Sequence, residues 1–226
     1  MKKALLSVCA ALLCLLPSCG AAEKTAGSTS AEPVGITVYG MSPTKEGTAR
    51  FEKKLKASPD YVPAQFFEDD ECYLISPREM AEKYGFEIYK YDKCTATYLF
   101  YENKVYTLGE SFGGLGAVSF AVADLDLNDM PELYYTYSSG SGMHRSQAGY
   151  FDTATDTYTN FEYIMPDTDM VLKAGTDRLE LYTAEVSGGS FVDISLTPTA
   201  KAGEILLLNG TVSLIAPEKE EESTKI

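Results

Sequence analysis

Five acidic or amide side chains crowd into AVADLDLNDMPELYYTY, residues 121–137, between two apolar runs typical of strands. Counted from Asp124 as position one, oxygen-bearing side chains fall at positions one, three, five and nine, which are Asp124, Asp126, Asn128 and Glu132. The carbonyl of Met130 is available at position seven. Calcium prefers about six to eight oxygen ligands, and a curled loop can point alternate side chains inward. The spacing predicts a Ca²⁺ loop; the alternative is a structural turn whose carboxylates accept backbone N–H groups.

Two common calcium motifs do not fit this segment. An EF-hand needs a bidentate glutamate at position twelve, where this chain has Tyr135. The residues that follow are β-branched or aromatic and favour a strand, whereas an EF-hand continues as a helix. Paired calcium loops of the dockerin type are excluded because the chain carries only one copy.

The segment ADLDLNDMPEL resembles the calcium loops of FG-GAP/VCBS-type β-propeller repeats, which often read aDlDgDGkpEl. The resemblance implies a loop between neighbouring strands of a blade-like unit, over residues 117–163. It also implies that the ligands are Asp124, Asp126, Asn128, the Met130 carbonyl and Glu132. Asp129 stands where the family has a glycine with positive φ, a conformation that aspartate adopts at some cost. One such unit is too small to form a whole propeller.

A second polar segment, SSGSGMHRSQ, contains the only histidine of the chain. We expect Ser141, His144 and Arg145 to form a ligand-contacting loop close to the acidic turn. A hydrolase that uses His144 with nearby serine or acidic residues is the alternative, since nucleophilic catalysis needs a base beside a hydroxyl. The segment lacks the strand–turn–helix setting of a Gly-x-Ser-x-Gly elbow. One histidine and two separated cysteines do not supply a tetrahedral zinc site.

The N-terminus, MKKALLSVCAALLCLLPSCG, has two lysines followed by an apolar run that is too short to span a membrane. With Leu16 and Ser18 before Cys19, it resembles the lipobox of bacterial lipoproteins. The resemblance implies that residues 1–18 are a signal peptide, that Cys19 is lipidated and that the membrane is reached through this lipid. Residues 19–45 then form a lipidated cysteine and flexible tether, since residues 20–35 are small and polar. The alternative is an ordinary secretory signal or an uncleaved anchor.

Only two cysteines, Cys72 and Cys94, follow the signal and the lipobox. In an exported chain they could form a disulfide, which would stabilise the fold by roughly 3 kcal/mol for a loop of this length. Two buried thiols are the alternative.

Charge excludes one class of partner. The chain has 19 basic and 33 acidic residues, a net charge of −14. Loss of Lys2 and Lys3 with the signal would make this −16. Phosphate backbones repel such a domain, so we expect no nucleic-acid partner.

Residues 46–216 are predicted to form one mainly antiparallel β domain, α+β with minor helix, and residues 217–226 a charged tail. Helices are expected near its start, over 47–58 and 76–85. Ser76 is the predicted N-cap of the second helix, with Glu79 completing a capping box and Gly85 ending the helix. Strands and hairpins follow, and the predicted hairpin tips are Glu102-Asn103, Gly188-Gly189 and Asn209-Gly210.

Together these features predict an extracytoplasmic, lipid-anchored binding or interaction module. Its expected ligand is a glycan, a cell-wall polymer or a protein, and an accessory subunit of an envelope complex is a further alternative. The chain has 16 tyrosines and no tryptophan. Tyrosines at alternate strand positions indicate ordinary packing at sheet faces, with a tyrosine-lined sugar groove as the second interpretation.

Overall fold

The computed structural model describes residues 35–58, 69–109, 113–189 and 192–217. The predicted signal peptide, Cys19 and the charged tail from residue 218 lie outside these ranges. No helix among the described residues is long and apolar enough to cross a membrane.

Two short helices precede most of the strands. They are α1, Thr48–Lys56, and α2, Arg78–Tyr84. The described strands are β1 Thr37–Tyr39, β2 Cys72–Leu74, β3 Glu87–Tyr91, β4 Thr97–Tyr101, β5 Lys104–Gly109, β6 Gly116–Ala123, β7 Glu132–Ser139, β8 Arg145–Asp152, β9 Thr157–Pro166, β10 Asp169–Ala174, β11 Leu179–Ser187, β12 Ser195–Leu208 and β13 Thr211–Ile215.

These strands form three antiparallel sheets, which confirms the mainly antiparallel β prediction. The largest sheet has the order β1-β6-β7-β8-β9 and is called the central sheet below. The other two have the orders β2-β3-β4-β5 and β10-β11-β12-β13. Strands β6 to β9 are a meander over the segment predicted to be blade-like, and β1 adds a fifth strand to it.

The central sheet is buried on both of its faces. Along β7, Tyr135 packs with Ile88 and Leu99 of the β2–β5 sheet, whereas Tyr134 packs with Leu172 and other residues of the β10–β13 sheet. Successive strand residues point to opposite faces, so a strand between two layers needs apolar residues at consecutive positions. This explains why ELYYTYSS does not alternate simply between polar and apolar.

Helix α1 covers the outer face of the β2–β5 sheet. Phe51 is fully buried there, and its ring stacks on the ring of Tyr89 with a centroid distance of 4.2 Å. The domain is therefore layered as helix, sheet, central sheet and sheet.

Two predicted hairpin tips have the backbone that tight two-residue turns require. Glu102 and Asn103 have φ values of 45° and 64°, and Asn209 and Gly210 have 52° and 78°. Positive φ at both central residues matches the twist of the flanking strands. The predicted hairpin around Gly188-Gly189 also forms, as β11 pairs with β12.

The domain begins before residue 46, which corrects the predicted end of the tether. β1 lies within the segment 19–45 and pairs with β6, with Val38 opposite Ala121. An isolated run of three strand residues carries little signal in sequence. The exposed edge of β6 gives it a partner, and this long-range pairing is not visible from local composition.

Ser76 does not cap α2, which corrects the predicted capping box. No side-chain hydrogen bond caps this helix, and Pro77 occupies the N-cap position. The Ser76 hydroxyl instead accepts a hydrogen bond from the Ile88 N–H at 3.0 Å. The predicted stop is confirmed, because Gly85 has φ 76° and follows the last helical residue.

The observed role of Ser76, which differs from the predicted capping box, predicts unequal losses of stability for two substitutions. Ser76→Ala leaves the buried Ile88 N–H without its acceptor, so we expect it to lower the free energy of unfolding by about 1–3 kcal/mol. Glu79→Ala changes an exposed residue that makes no capping bond and is expected to be near neutral. Urea unfolding followed by circular dichroism measures both. A larger loss for Glu79→Ala than for Ser76→Ala would contradict the observed arrangement.

Candidate metal centre

The acidic turn joins β6 to β7 across residues 124–131. Ala123, the last residue of β6, is paired with Glu132, the first residue of β7. Both strands are held in the central sheet, so the hairpin fixes where the turn begins and ends. The turn therefore joins two neighbouring antiparallel strands of one sheet.

Three carboxylates meet at the base of this turn. Oxygen atoms of Asp124, Asp126 and Glu132 all lie within 4.8 Å of one another. Glu132 is 1% exposed and Asp124 is 9% exposed, while Asp126 is partly buried. We call these three side chains the carboxylate cluster.

Asp124 and Asp126 also organise the backbone of the turn. The two oxygens of Asp124 accept the N–H groups of Asn128 and Asp129, each at 3.0 Å. Asp126 Oδ1 accepts the Asn128 N–H at 3.1 Å. The structural role given as the alternative in the sequence analysis is thus present. These hydrogen bonds leave acceptor sites on both carboxylates for a further ligand, because each carboxylate offers about four lone-pair sites.

Glu132 differs from its neighbours because one of its oxygens accepts no hydrogen bond from a protein donor. Oε2 accepts hydrogen bonds from the Leu125 N–H and the Tyr134 hydroxyl, each at 2.9 Å. Oε1 is buried and accepts none. A buried acceptor that loses water without gaining a partner costs free energy. Either a proton on Glu132 that is donated to Asp126 or a bound cation would satisfy this oxygen.

The electrostatics of the cluster are unfavourable for anions alone. The pKa of Glu132 is raised to about 8, mainly by burial. The charge of Asp126 and a hydrogen bond with its carboxylate contribute to the rise, while the Leu125 N–H and the Tyr134 hydroxyl oppose it. Burial also raises the pKa of Asp126, and Asp124 adds to the effect. A bound cation would neutralise this crowding and supply the partner that Oε1 lacks.

The backbone of the turn takes the left-handed conformation twice. Leu127 has φ 62° and Asp129 has φ 65°. Asp129 therefore adopts the positive φ expected at the glycine position of the propeller loops. Its N–H bond to Asp124 helps to hold this conformation in a residue that tolerates it.

The remaining two predicted ligands lie beside the cluster. Asn128 donates its side-chain amide to Asp126 Oδ2 at 2.8 Å, and its Oδ1 accepts the Met130 N–H at 2.7 Å. Asn128 thus contacts the cluster directly. The role of the Met130 carbonyl stays a prediction. The next residue, Pro131, is tied to the β8–β9 turn, because Thr153 donates its hydroxyl to the Pro131 carbonyl at 2.7 Å.

The histidine loop lies at the opposite end of β7 and β8 from the carboxylate cluster, and not close to the acidic turn as predicted. His144 Nε2 is 3.2 Å from Asp169 Oδ1, and the aspartate is buried. They border an open cleft of about 600 Å³ that is also lined by Glu185 and Thr199. Sequence reasoning missed Asp169, because one acid among 33 acidic residues carries no local signal.

No serine or cysteine accompanies this pair among the described residues that line the cleft, and its hydroxyls belong to Thr168 and Thr199. Ser146 is near in sequence, but its hydroxyl donates to the Thr168 carbonyl at 2.6 Å. The other predicted members of the loop, Ser141 and Arg145, are exposed and do not line the cleft. The structure therefore brings His144 to an acid but to no serine.

The cysteines do not form the disulfide that the sequence allowed. Cys72 and Cys94 are both free and buried. Burial raises the pKa of the Cys72 thiol to about 12 and that of Cys94 to about 11. Buried protonated thiols pack as small apolar side chains, which is the alternative that the sequence left open.

Comparisons with protein-family models, curated proteins and solved structures give no match to this chain. The resemblance to propeller calcium loops and to lipoprotein signals therefore rests on the quoted residues alone.

The carboxylate cluster predicts a pH dependence of stability when a chelator removes divalent cations. Glu132 holds its proton to a higher pH in the folded chain than in the unfolded chain, so unfolding releases a proton between about pH 4.5 and pH 8. Raising the pH through this window should cost up to about 4 kcal/mol of stability. Urea unfolding in EDTA at about pH 5 and about pH 8 measures the loss.

Glu132→Gln provides the comparison, since it removes the titrating group at nearly constant shape. The variant should lose less stability than the wild type between the two pH values. Equal losses in both proteins would show that Glu132 does not titrate in this window.

Proposed function

We propose that this chain is an extracytoplasmic binding module, anchored by lipid at Cys19 and stabilised by Ca²⁺ in the β6–β7 turn. The observation that supports the calcium site is the buried Glu132 Oε1, which accepts no hydrogen bond from a protein donor and lies beside Asp124 and Asp126. Asn128 and the Met130 carbonyl complete the proposed ligand set.

The donor atoms favour calcium over the softer transition metals. Carboxylate, amide and carbonyl oxygens are hard ligands, and calcium accepts irregular sets of them. Zinc and copper select imidazole and thiolate, but His144 and the two cysteines are not members of the cluster. When bound, the ion would supply positive charge; Asp124 and Glu132 would hold it between two strands of the central sheet.

The anchoring proposal is supported by the N-terminal sequence. Lysines, apolar run, small residue and Cys19 occur in the order that lipoprotein export requires. Acyl chains hold a protein at a bilayer by burying methylene groups, at about 0.8 kcal/mol each. An acidic domain would then face away from anionic headgroups, on a tether that ends before β1.

A binding role is better supported than the hydrolase alternative. His144 and Asp169 form a base and an orienting acid, which favours the alternative. The described lining of their cleft nevertheless lacks a serine or cysteine, and the hydroxyls of Thr168 and Thr199 are engaged with the Asp169 carbonyl and with Thr183. The proposed partner is a surface ligand such as a glycan, a cell-wall polymer or a protein, and not a nucleic acid.

Thermal unfolding with and without calcium tests the metal site. Calcium at about 100 times its dissociation constant should stabilise the folded chain by about 2.7 kcal/mol, because only the folded state assembles the ligands. For a domain of this size we expect the midpoint to rise by about 5 °C or more. Circular dichroism of the full-length chain, with calcium or with EDTA, measures the shift.

Two variants of the same turn make this test specific. Asp126→Ala removes a proposed ligand and should abolish the calcium shift. Asp129→Asn removes a charge outside the carboxylate cluster and keeps a residue that tolerates positive φ, so its shift should match that of the wild type. A calcium shift that survives Asp126→Ala, or that is lost in both variants, contradicts the ligand assignment.

Metabolic labelling with an alkyne fatty acid in a bacterial host tests the anchor. The wild type should be labelled, and Cys19→Ser should lose the label because the acylated thiol is gone. Cys14→Ser lies in the same N-terminal segment but outside the lipobox, so it should be labelled normally. A label that persists in Cys19→Ser would rule out lipidation at that cysteine.

A further inference from the structure

A groove of about 610 Å³ runs along the outer edge of β5. β5 is the edge strand of the β2–β5 sheet, and its consecutive residues 105–109 all line the groove. The central sheet contributes Gln147 of β8 and Tyr158 and Asn160 of β9, and Leu55 and Ser58 line the groove at α1. We call it the β5 groove.

The lining of the β5 groove is aromatic and polar but uncharged. Four tyrosines contribute to it, together with two side-chain amides: Tyr98, Tyr106, Tyr137, Tyr158, Gln147 and Asn160. None of its described lining residues is acidic or basic, in a chain of which 23% of residues are charged. The nearby charges of Lys104 and Asp156 pair with each other.

Neighbouring residues fix two polar groups of the groove, the Tyr106 hydroxyl and the Asn160 amide. The Tyr106 hydroxyl donates a hydrogen bond to the carboxylate of Asp156. Asn160 Oδ1 accepts the Tyr135 hydroxyl at 2.9 Å, which orients the amide and leaves its NH₂ group for a ligand. Gly109 lacks a Cβ, and any larger residue there would collide with the ring of Tyr137. Tyr106, Asn160 and Tyr137 are thus held in place before a ligand arrives.

We propose that the β5 groove binds a neutral glycan. A sugar ring presents a C–H face that packs on an aromatic ring, and its hydroxyls exchange hydrogen bonds with amides and hydroxyls. Tyr158 is 50% exposed and offers such a ring, and Gln147 and Asn160 supply the amides. An ionic ligand would need counter-charges that the described lining lacks. This inference rests on the proposed binding role but not on calcium.

A peptide strand added to the edge of β5 is the competing occupant. It would use mainly the backbone of β5 and would leave the amides and the exposed ring on β8 and β9 with a smaller role. Gln147, Tyr158 and Asn160 line the groove on the central sheet, away from the backbone of β5. A glycan would use these side chains, so their position favours the glycan.

Isothermal titration calorimetry of the full-length chain in a polyoxyethylene detergent tests the proposal. The neutral probes are the hexasaccharides of cellulose, xylan, mannan and chitin. The anionic probe is hexagalacturonate, and the peptide probe is an uncharged Ser-Thr-Val repeat. At least one neutral hexasaccharide should bind, and hexagalacturonate should bind at least about tenfold more weakly or not at all.

Three variants locate the binding. Tyr158→Ala should weaken the neutral glycan about tenfold because the stacking ring is lost, whereas Tyr158→Phe should keep most of the affinity. Ile164→Ala is the matched control: Ile164 lies on the same strand, is 49% exposed and does not line the groove. It should bind like the wild type. Tyr158 is half exposed, so its replacement should leave the unfolding midpoint unchanged.

Binding of the peptide alone, binding of none of the neutral hexasaccharides, or full affinity in Tyr158→Ala each overturns the glycan assignment. The peptide result would leave the chain a binding module. Glycan binding without a calcium shift would overturn only the metal site, so the two proposals fail separately.

Discussion

Glu132 places a buried carboxylate where β7 enters the central sheet, and the surrounding turn is arranged around it. It is the first residue of β7 and pairs with Ala123 on one side and Asp152 on the other. Oε2 is satisfied by Leu125 and Tyr134, whereas Oε1 is buried without a partner. In water this carboxylate would be fully solvated, so its position in the sheet requires compensation. In the proposed site, a cation shared with Asp124 and Asp126 would provide that compensation.

The layers explain why the carboxylate cannot move away from this position. The central sheet is covered on both faces, by the β2–β5 sheet and by the β10–β13 sheet. Tyr134, two residues after Glu132, is fully buried on the same face of β7. A one-residue shift of register would move Tyr134 to the opposite buried face, where Tyr135 now packs, and would disturb the packing on both faces. Packing therefore fixes the position of Glu132. The rigidity of the sheet is therefore what allows a short turn to hold three carboxylates together.

Local sequence predicted the features whose causes are local. Asn209-Gly210 and Glu102-Asn103 mark tight turns because their residues accept positive φ, and the turn at 124–131 showed its oxygen spacing directly. Features that depend on distant partners were missed or misread. Ser76 resembles an N-cap in sequence, but its hydroxyl is used by Ile88 of the next strand. β1 exists because β6 offers an edge, and Asp169 gains significance only when β10 places it beside His144. The unpaired oxygen of Glu132 is likewise a property of packing and has no sequence signal.

The most direct test of the calcium site is a crystal structure of the chain grown with calcium, with anomalous diffraction data collected to locate the ion. We expect one anomalous peak bound by Asp124, Asp126 and Glu132 Oε1 at about 2.3–2.6 Å, with Asn128 and the Met130 carbonyl completing the shell. Absence of a peak in the β6–β7 turn at millimolar calcium, with Glu132 Oε1 bound by water or protonated, would contradict the proposed calcium site.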